Sequence, residues 1–119
     1  MAVSSDFTQY VVDQLSELGR VRPSRLFGGV GLYSGDAFFA LIFSETLYFK
    51  VNDSNRADYL ACGAARFQPS MKRPQLSLSY YAVPVEVLED PHELANWARQ
   101  SVQIAKLTGA RRRSSTAQR

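Results

Sequence analysis

From Arg25 to Val51 the apolar residues follow a two-residue period broken by two short polar pairs, Gly35-Asp36 and Ser44-Glu45. A period of two belongs to strands, and breaks of this length are hairpin turns. The segment predicts three strands, Leu26 to Ser34, Ala37 to Phe43 and Thr46 to Val51, joined as an antiparallel meander. A two-residue turn at Gly35-Asp36 would set Tyr33 opposite Phe38, Gly31 opposite Ala40 and Gly29 opposite Ile42. The same parity carries Leu47, Phe49 and Val51 onto that face, giving an apolar floor with a trough at Gly29, Gly31 and Ala40 for a helix to enter. The opposite face, Val30, Leu32, Phe39, Leu41, Phe43, Tyr48 and Lys50, is also mostly apolar and needs a cover. Either helices sandwich the sheet or a partner completes one face; three amphipathic helices favour the sandwich.

The first of those helices reads from Asp6 to Leu18, with Phe7, Val11, Leu15 and Leu18 on one side and Gly19 after it. A second runs from Asp53 to Ala61, with Gly63 as its left-handed stop. Ala64 to Phe67 reads as a short strand, Gln68 to Pro74 as a loop, and Gln75 to Val83 as an alternating strand closed by Pro84. The last helix has the clearest start, with Asp90 as N-cap, Pro91 at its first position and Glu93 completing a capping box. Leu94, Trp97, Ala98, Ser101 and Ala105 form its inward stripe, and Gly109 is its expected end. The fold class is α+β: a single domain, residues 1–109, with an antiparallel β-meander packed with about three α-helices, then a basic, disordered tail, 110–119.

At 119 residues the chain has room for one core. Its single cysteine, Cys62, and single histidine, His92, exclude a disulfide framework and a zinc site of the usual kind. The net charge of +3 is carried by the end of the chain: up to Ala105 there are nine Lys and Arg against eleven Asp and Glu. The body therefore has no global charge reason to seek nucleic acid. The start, MAVSSDF, resembles no secretory leader, and no run is apolar enough to span a membrane, so a cytoplasmic location is expected.

The glycine cluster fails as a phosphate cradle. Counted from Gly29, the third position is Gly31 but the sixth is Ser34, a strand rather than a helix follows, and no Gly-Lys-Ser/Thr is present. Catalysis finds no constellation either: His92 reads as a surface residue of a first helical turn, Cys62 as a small packed residue, and Asp90 is committed to capping. A small-molecule or hydrolase pocket near Tyr33 and Cys62 is the weakest alternative. No catalytic, metal-binding or cofactor-binding residue is expected.

Two kinds of binding surface are expected. Phe39, Leu41, Tyr48 and Lys50 are the candidate protein interface, Lys50 being a charge at the end of an apolar strand that could equally snorkel. Lys72 and Arg73, ahead of Tyr80 and Tyr81, and Arg111, Arg112 and Arg113 in the tail, are the candidate nucleic-acid contacts, for salt-sensitive and sequence-independent affinity at most.

Taken together, RLFGGVGLY from Arg25, then Phe39-Ala40-Leu41-Ile42 and Leu47-Tyr48-Phe49-Lys50, resemble the amino-terminal domain of the TfoX/Sxy competence regulators. Ser79-Tyr80-Tyr81, Pro84, Leu88-Glu89-Asp90-Pro91 and Trp97-Ala98-Arg99 continue the match in the same order. Phe27, Gly28, Gly29, Gly31, Tyr33, Tyr80, Tyr81, Pro84, Asp90 and Trp97 carry the motif, in structural roles. Leu26 stands where the family usually has Met, a volume-conserving exchange. The resemblance implies a bacterial cytoplasmic protein that is not an enzyme and that helps a cyclic-AMP-responsive transcriptional activator control DNA-uptake genes. The full regulators add a carboxy-terminal helical domain, so this chain is expected to work as a stand-alone first domain. Its expected partner is the activator, with a homodimer also open, nucleic acid weak or indirect, and no membrane, metal or cofactor involved.

Overall fold

The alternating segment is the centre of an antiparallel sheet that has, among the described residues, five strands in sequence order. The structure, a computed structural model, describes residues 5–26, 28–67 and 80–117, with side chains from 6 to 107 within those ranges. Strand β1 is Arg22–Leu26, β2 Gly29–Ser34, β3 Ala37–Phe43, β4 Thr46–Lys50 and β5 Tyr80–Ala82. The single strand expected from Leu26 to Ser34 is thus a hairpin corner: Leu26 pairs with Gly29, and Gly28 sits between them at φ +65°. That left-handed value is one that glycine adopts without steric cost. Pro23 and the charges around it hid β1, because a Pro-containing run without apolar alternation reads as loop.

Both expected turns are present, with Ser34 paired to Ala37 and Phe43 to Thr46. Ser44 and Glu45 have φ of 51° and 59°, the paired left-handed conformation of the hairpin turn whose twist matches its strands. Between these turns the expected register fails. Tyr33 does face Phe38, but Leu32 then faces Ala40, so Phe39 is an extra residue on β3 and every pair beyond shifts by one. Gly31 consequently faces Leu41 rather than Ala40, and Gly29 faces Phe43 rather than Ile42. A bulge of this kind reverses the parity of the strand beyond it.

Helix α1 is Ser5–Gln14, followed by a 3-10 turn, Ser16–Leu18. Helix α2, Arg56–Ala61, begins three residues after the expected Asp53 because the preceding loop spends its polar groups on itself. The Asn52 amide donates to Asn55 Oδ1 (2.9 Å), and the Ser54 amide donates to Asn52 Oδ1 (2.8 Å). Gly63, at φ +70°, follows the helix as expected. Residues 64–67 make only a bridge, Arg66 with Tyr81, framed by the Phe67 amide on Tyr80 O (2.8 Å) and the Ala82 amide on Ala65 O (2.8 Å). Of the expected strand Gln75 to Val83, residues 75–79 lie outside the described residues.

A short helix, α3, Val85–Leu88, starts directly after Pro84. Helix α4, Pro91–Ala117, then starts as its sequence predicts: Asp90 Oδ1 accepts the amides of His92 (3.2 Å) and Glu93 (3.3 Å). Its backbone runs on through Gly109 instead of ending there.

The four helices among the described residues pack on one face of the sheet. Val11 of α1, Leu15 just after it, Tyr59 of α2, Val87 of α3, and Leu94, Ala98, Val102 and Ala105 of α4 share one core with Leu32, Phe39, Ala40, Ile42, Leu47, Phe49 and Tyr81 of the strands. The sandwich expected from the apolar pattern is therefore replaced, among the described residues, by a two-layer arrangement. A separate cluster occupies the second face.

Candidate interaction surface

That second face is built from alternate residues of every strand. Leu41, Phe67 and Tyr80 are buried in it, with Leu26, Phe38, Phe43 and Tyr48 half-buried around them. Phe67 packs edge-on against Phe43 (ring centroids 5.5 Å) and Tyr48 (4.8 Å). Tyr33 stacks on Phe38 (5.1 Å, 20° between planes), and Phe38 lies 6.1 Å from Tyr80. Offset and edge-to-face contacts of this kind add to what area burial alone supplies. Two cations stand against these rings: Arg22 Cζ lies 4.6 Å from the Tyr33 ring centre and Lys50 Nζ 5.1 Å from that of Tyr80.

The glycines of the opening motif belong to this face. A Cβ placed on Gly31 would stand 2.8 Å from Phe38 Cε1, and one on Gly29 would stand 3.0 Å from Phe43 Cδ1 and 2.6 Å from the Ile42 carbonyl oxygen. Their missing side chains make room for aromatic rings, so the expected helix-receiving trough is absent. Ala40, the third member of that trough, is in the helix-side core.

The bulge also divides the expected interface. Leu41, Tyr48 and Lys50 lie on the second face, but Phe39 is fully buried on the helix side, its ring 5.8 Å from Phe49. Phe39 is removed from the candidate surface for that reason. Arg22, Tyr33, Phe38 and Tyr80 replace it. The sequence signal for Arg22 was the alternation Arg22, Ser24, Leu26, which continues the face across β1.

Other candidate residues scatter. Lys72, Arg73 and Phe27 lie outside the described residues, and Arg111, Arg112 and Arg113 fall on the backbone of α4. Cys62 is exposed at the end of α2, not packed, and on the helix side, whereas Tyr33 is on the other face, so no shared pocket joins them. His92 is exposed, and its Nδ1 lies 3.2 Å from Glu17 Oε1. Arg99 donates to the Glu17 carbonyl (3.3 Å), and together these contacts tie the 3-10 turn to α4. Trp97 packs edge-on against Tyr59 (4.8 Å). Among the described residues no cluster of three or more His, Cys, Asp or Glu could hold a metal ion, and no helix is long and apolar enough to cross a membrane.

Two tyrosines are displaced from their ordinary ionisation. Burial pushes the Tyr59 hydroxyl well up, Ser101 offsets part of this, and Asp58 adds to it. The Ser101 hydroxyl spends its own proton on the Lys50 carbonyl (2.8 Å), and Tyr59 Oη is left short of hydrogen-bond geometry with any described group. Burial likewise raises Tyr80, with a smaller push from Tyr33. Both must stay protonated in the folded state at pH values where the unfolded chain already ionises. Stability is therefore fully present below the unfolded value near 10 and falls above it, by up to about 1.4 kcal/mol per pH unit for each tyrosine. Urea midpoints measured from pH 9 to 11.5 should show this decline, and Tyr59→Phe should remove about half of the slope; an unchanged slope would place the alkaline loss elsewhere.

The family model for the TfoX N-terminal domain matches residues 13–105, a span that includes all five strands and most of the helical layer. The chain belongs to this family. A curated relative, the DNA transformation protein TfoX1 of Aliivibrio fischeri (strain ATCC 700601 / ES114), is 27% identical over 93 residues, covering 78% of this chain and 44% of the relative. The chain thus spans less than half the length of the relative it matches. In this TfoX N-terminal domain the glycine motif closes the β1–β2 corner and seats the second-face rings, Asp90 caps α4, and Trp97 covers Tyr59.

Proposed function

We propose that this TfoX N-terminal domain is a non-enzymatic regulatory module that acts through protein contacts in transcriptional control of DNA-uptake genes. The observation that carries the reading is the second face of the sheet, where Tyr33, Phe38, Tyr48 and Lys50 stay half-buried while the described helices lie on the other side. Aromatic residues on such a face, with Arg22 at its edge, are the composition of protein interface anchors. Family membership and the name of the curated relative supply the process, transformation by DNA. On this reading the domain is a cytoplasmic coactivator whose partner is a transcriptional activator.

Deleting the coding sequence in the native cell, and restoring it, tests the proposal through transcripts of DNA-uptake genes and transformation frequency. Both should fall on deletion and recover on restoration. Unchanged transcripts would end the competence reading. Recovery with a Tyr48→Ala chain as complete as with the parent would move the contact off this face.

A further inference from the structure

All eleven acidic residues of the chain lie outside the five strands, which carry Arg22, Arg25 and Lys50 as their only charges. The body as a whole is slightly acidic, yet the strands carry cations alone, the other cations lying off the strands like all the acids. The second face takes two of those cations and sets them against one row of rings running across the strands. Arg22 covers Tyr33, Tyr33 stacks on Phe38, Phe38 meets Tyr80, and Lys50 lies over Tyr80. Arg22 is exposed and has no carboxylate partner among the described residues.

Resting on the reading above, we infer that this row is a docking site for an extended acidic segment of the partner protein, with two carboxylates flanking an apolar side chain. Arg22 on β1 and Lys50 on β4 are three inter-strand steps apart, roughly 14 Å. Residues i and i+4 of an extended peptide are separated by nearly the same length, about 13.5 Å. A segment lying across the strands would put one carboxylate on Arg22, the other on Lys50, and the residue between them over Phe38. Charge complementarity selects this occupant: a second copy docking through the same face would bring the same two cations, and two phosphate contacts give a nucleic-acid strand little affinity. The Tyr33 ring is already sandwiched between Arg22 and Phe38, which leaves its faces closed to a stacking base.

The test uses the full chain, isotope-labelled, and three probes: a peptide with the core Glu-Ser-Leu-Ser-Glu, the same peptide with both glutamates replaced by glutamine, and oligothymidylate. The acidic peptide should shift the amide resonances of Arg22, Tyr33, Phe38 and Lys50 saturably, and the glutamine peptide should bind about tenfold more weakly. The variant Arg22→Gln with Lys50→Gln should lose the response at unchanged melting temperature. If that variant melts early, Arg22→Gln alone, at an exposed position, should still weaken the acidic peptide. Equal affinity for the two peptides, shifts elsewhere on the molecule, or a row that responds to oligothymidylate instead would each overturn the inference. DNA-uptake transcripts that still depend on the chain, beside a row that binds no acidic peptide, would reject the row alone. Transcripts that ignore the chain would reject the wider reading.

Discussion

Phe39→Ala should destabilise the domain by about 4 kcal/mol, whereas Tyr48→Ala should cost about 1 kcal/mol and leave the fold intact. The two residues look alike in the sequence, an aromatic in an apolar strand, and simple alternation gives them the same face. The bulge separates them. Phe39, fully buried, packs on Phe49 beneath the helices, while Tyr48 keeps part of its ring in solvent and meets Phe67. Removing the first ring leaves a cavity that α1, α4 and the sheet cannot close together, because each is anchored by other core residues. Urea unfolding at constant m-value is the measurement. Equal losses for the two variants would show that Phe39 is not in the helix-side core.

The features that were legible in the sequence are those with a local cause. Gly35-Asp36 and Ser44-Glu45 mark turns because polar pairs interrupt apolar runs, and Asp90-Pro91 marks the start of α4 because a side chain must satisfy amides there. The bulge had no such marker. In Phe38-Phe39-Ala40-Leu41-Ile42 every residue is apolar, so an inserted residue changes no polarity and the alternation cannot report it. The candidate site inherited that error: Leu41, Tyr48 and Lys50 were placed on the correct face, since the short Ser44-Glu45 turn preserves their relation, and Phe39 was not. Arg22 was missed for a different reason, because β1 is an edge strand with Pro23 in it and buries little. Helix placement on a single face could not be read at all, since an apolar stripe states that a helix is covered and not which side of the sheet covers it.

Gly31→Val and Gly29→Val should each cost about 3 kcal/mol, by two different mechanisms that a second substitution distinguishes. On Gly31 the added Cβ would lie 2.8 Å from Phe38 Cε1 and 3.2 Å from Leu26 Cδ1, both side-chain atoms. Phe38 cannot simply turn away, because Tyr33 stacks on it and Tyr80 flanks it. Shortening Phe38 to Leu should therefore return part of the loss, a coupling of about 1 kcal/mol in a double-mutant cycle. On Gly29 the added Cβ would lie 2.6 Å from the Ile42 carbonyl oxygen, a backbone atom of the neighbouring strand. No side-chain exchange can move that oxygen without disturbing the β2–β3 ladder, so trimming Phe43 to Leu should rescue little. Both losses arise on the aromatic face, so hydrogen-exchange protection in α4 should fall only as global stability falls. Rescue of Gly31→Val by trimming Leu94 or Ala98 rather than Phe38 would return the glycines to the helix side and undo the register on which the docking row depends.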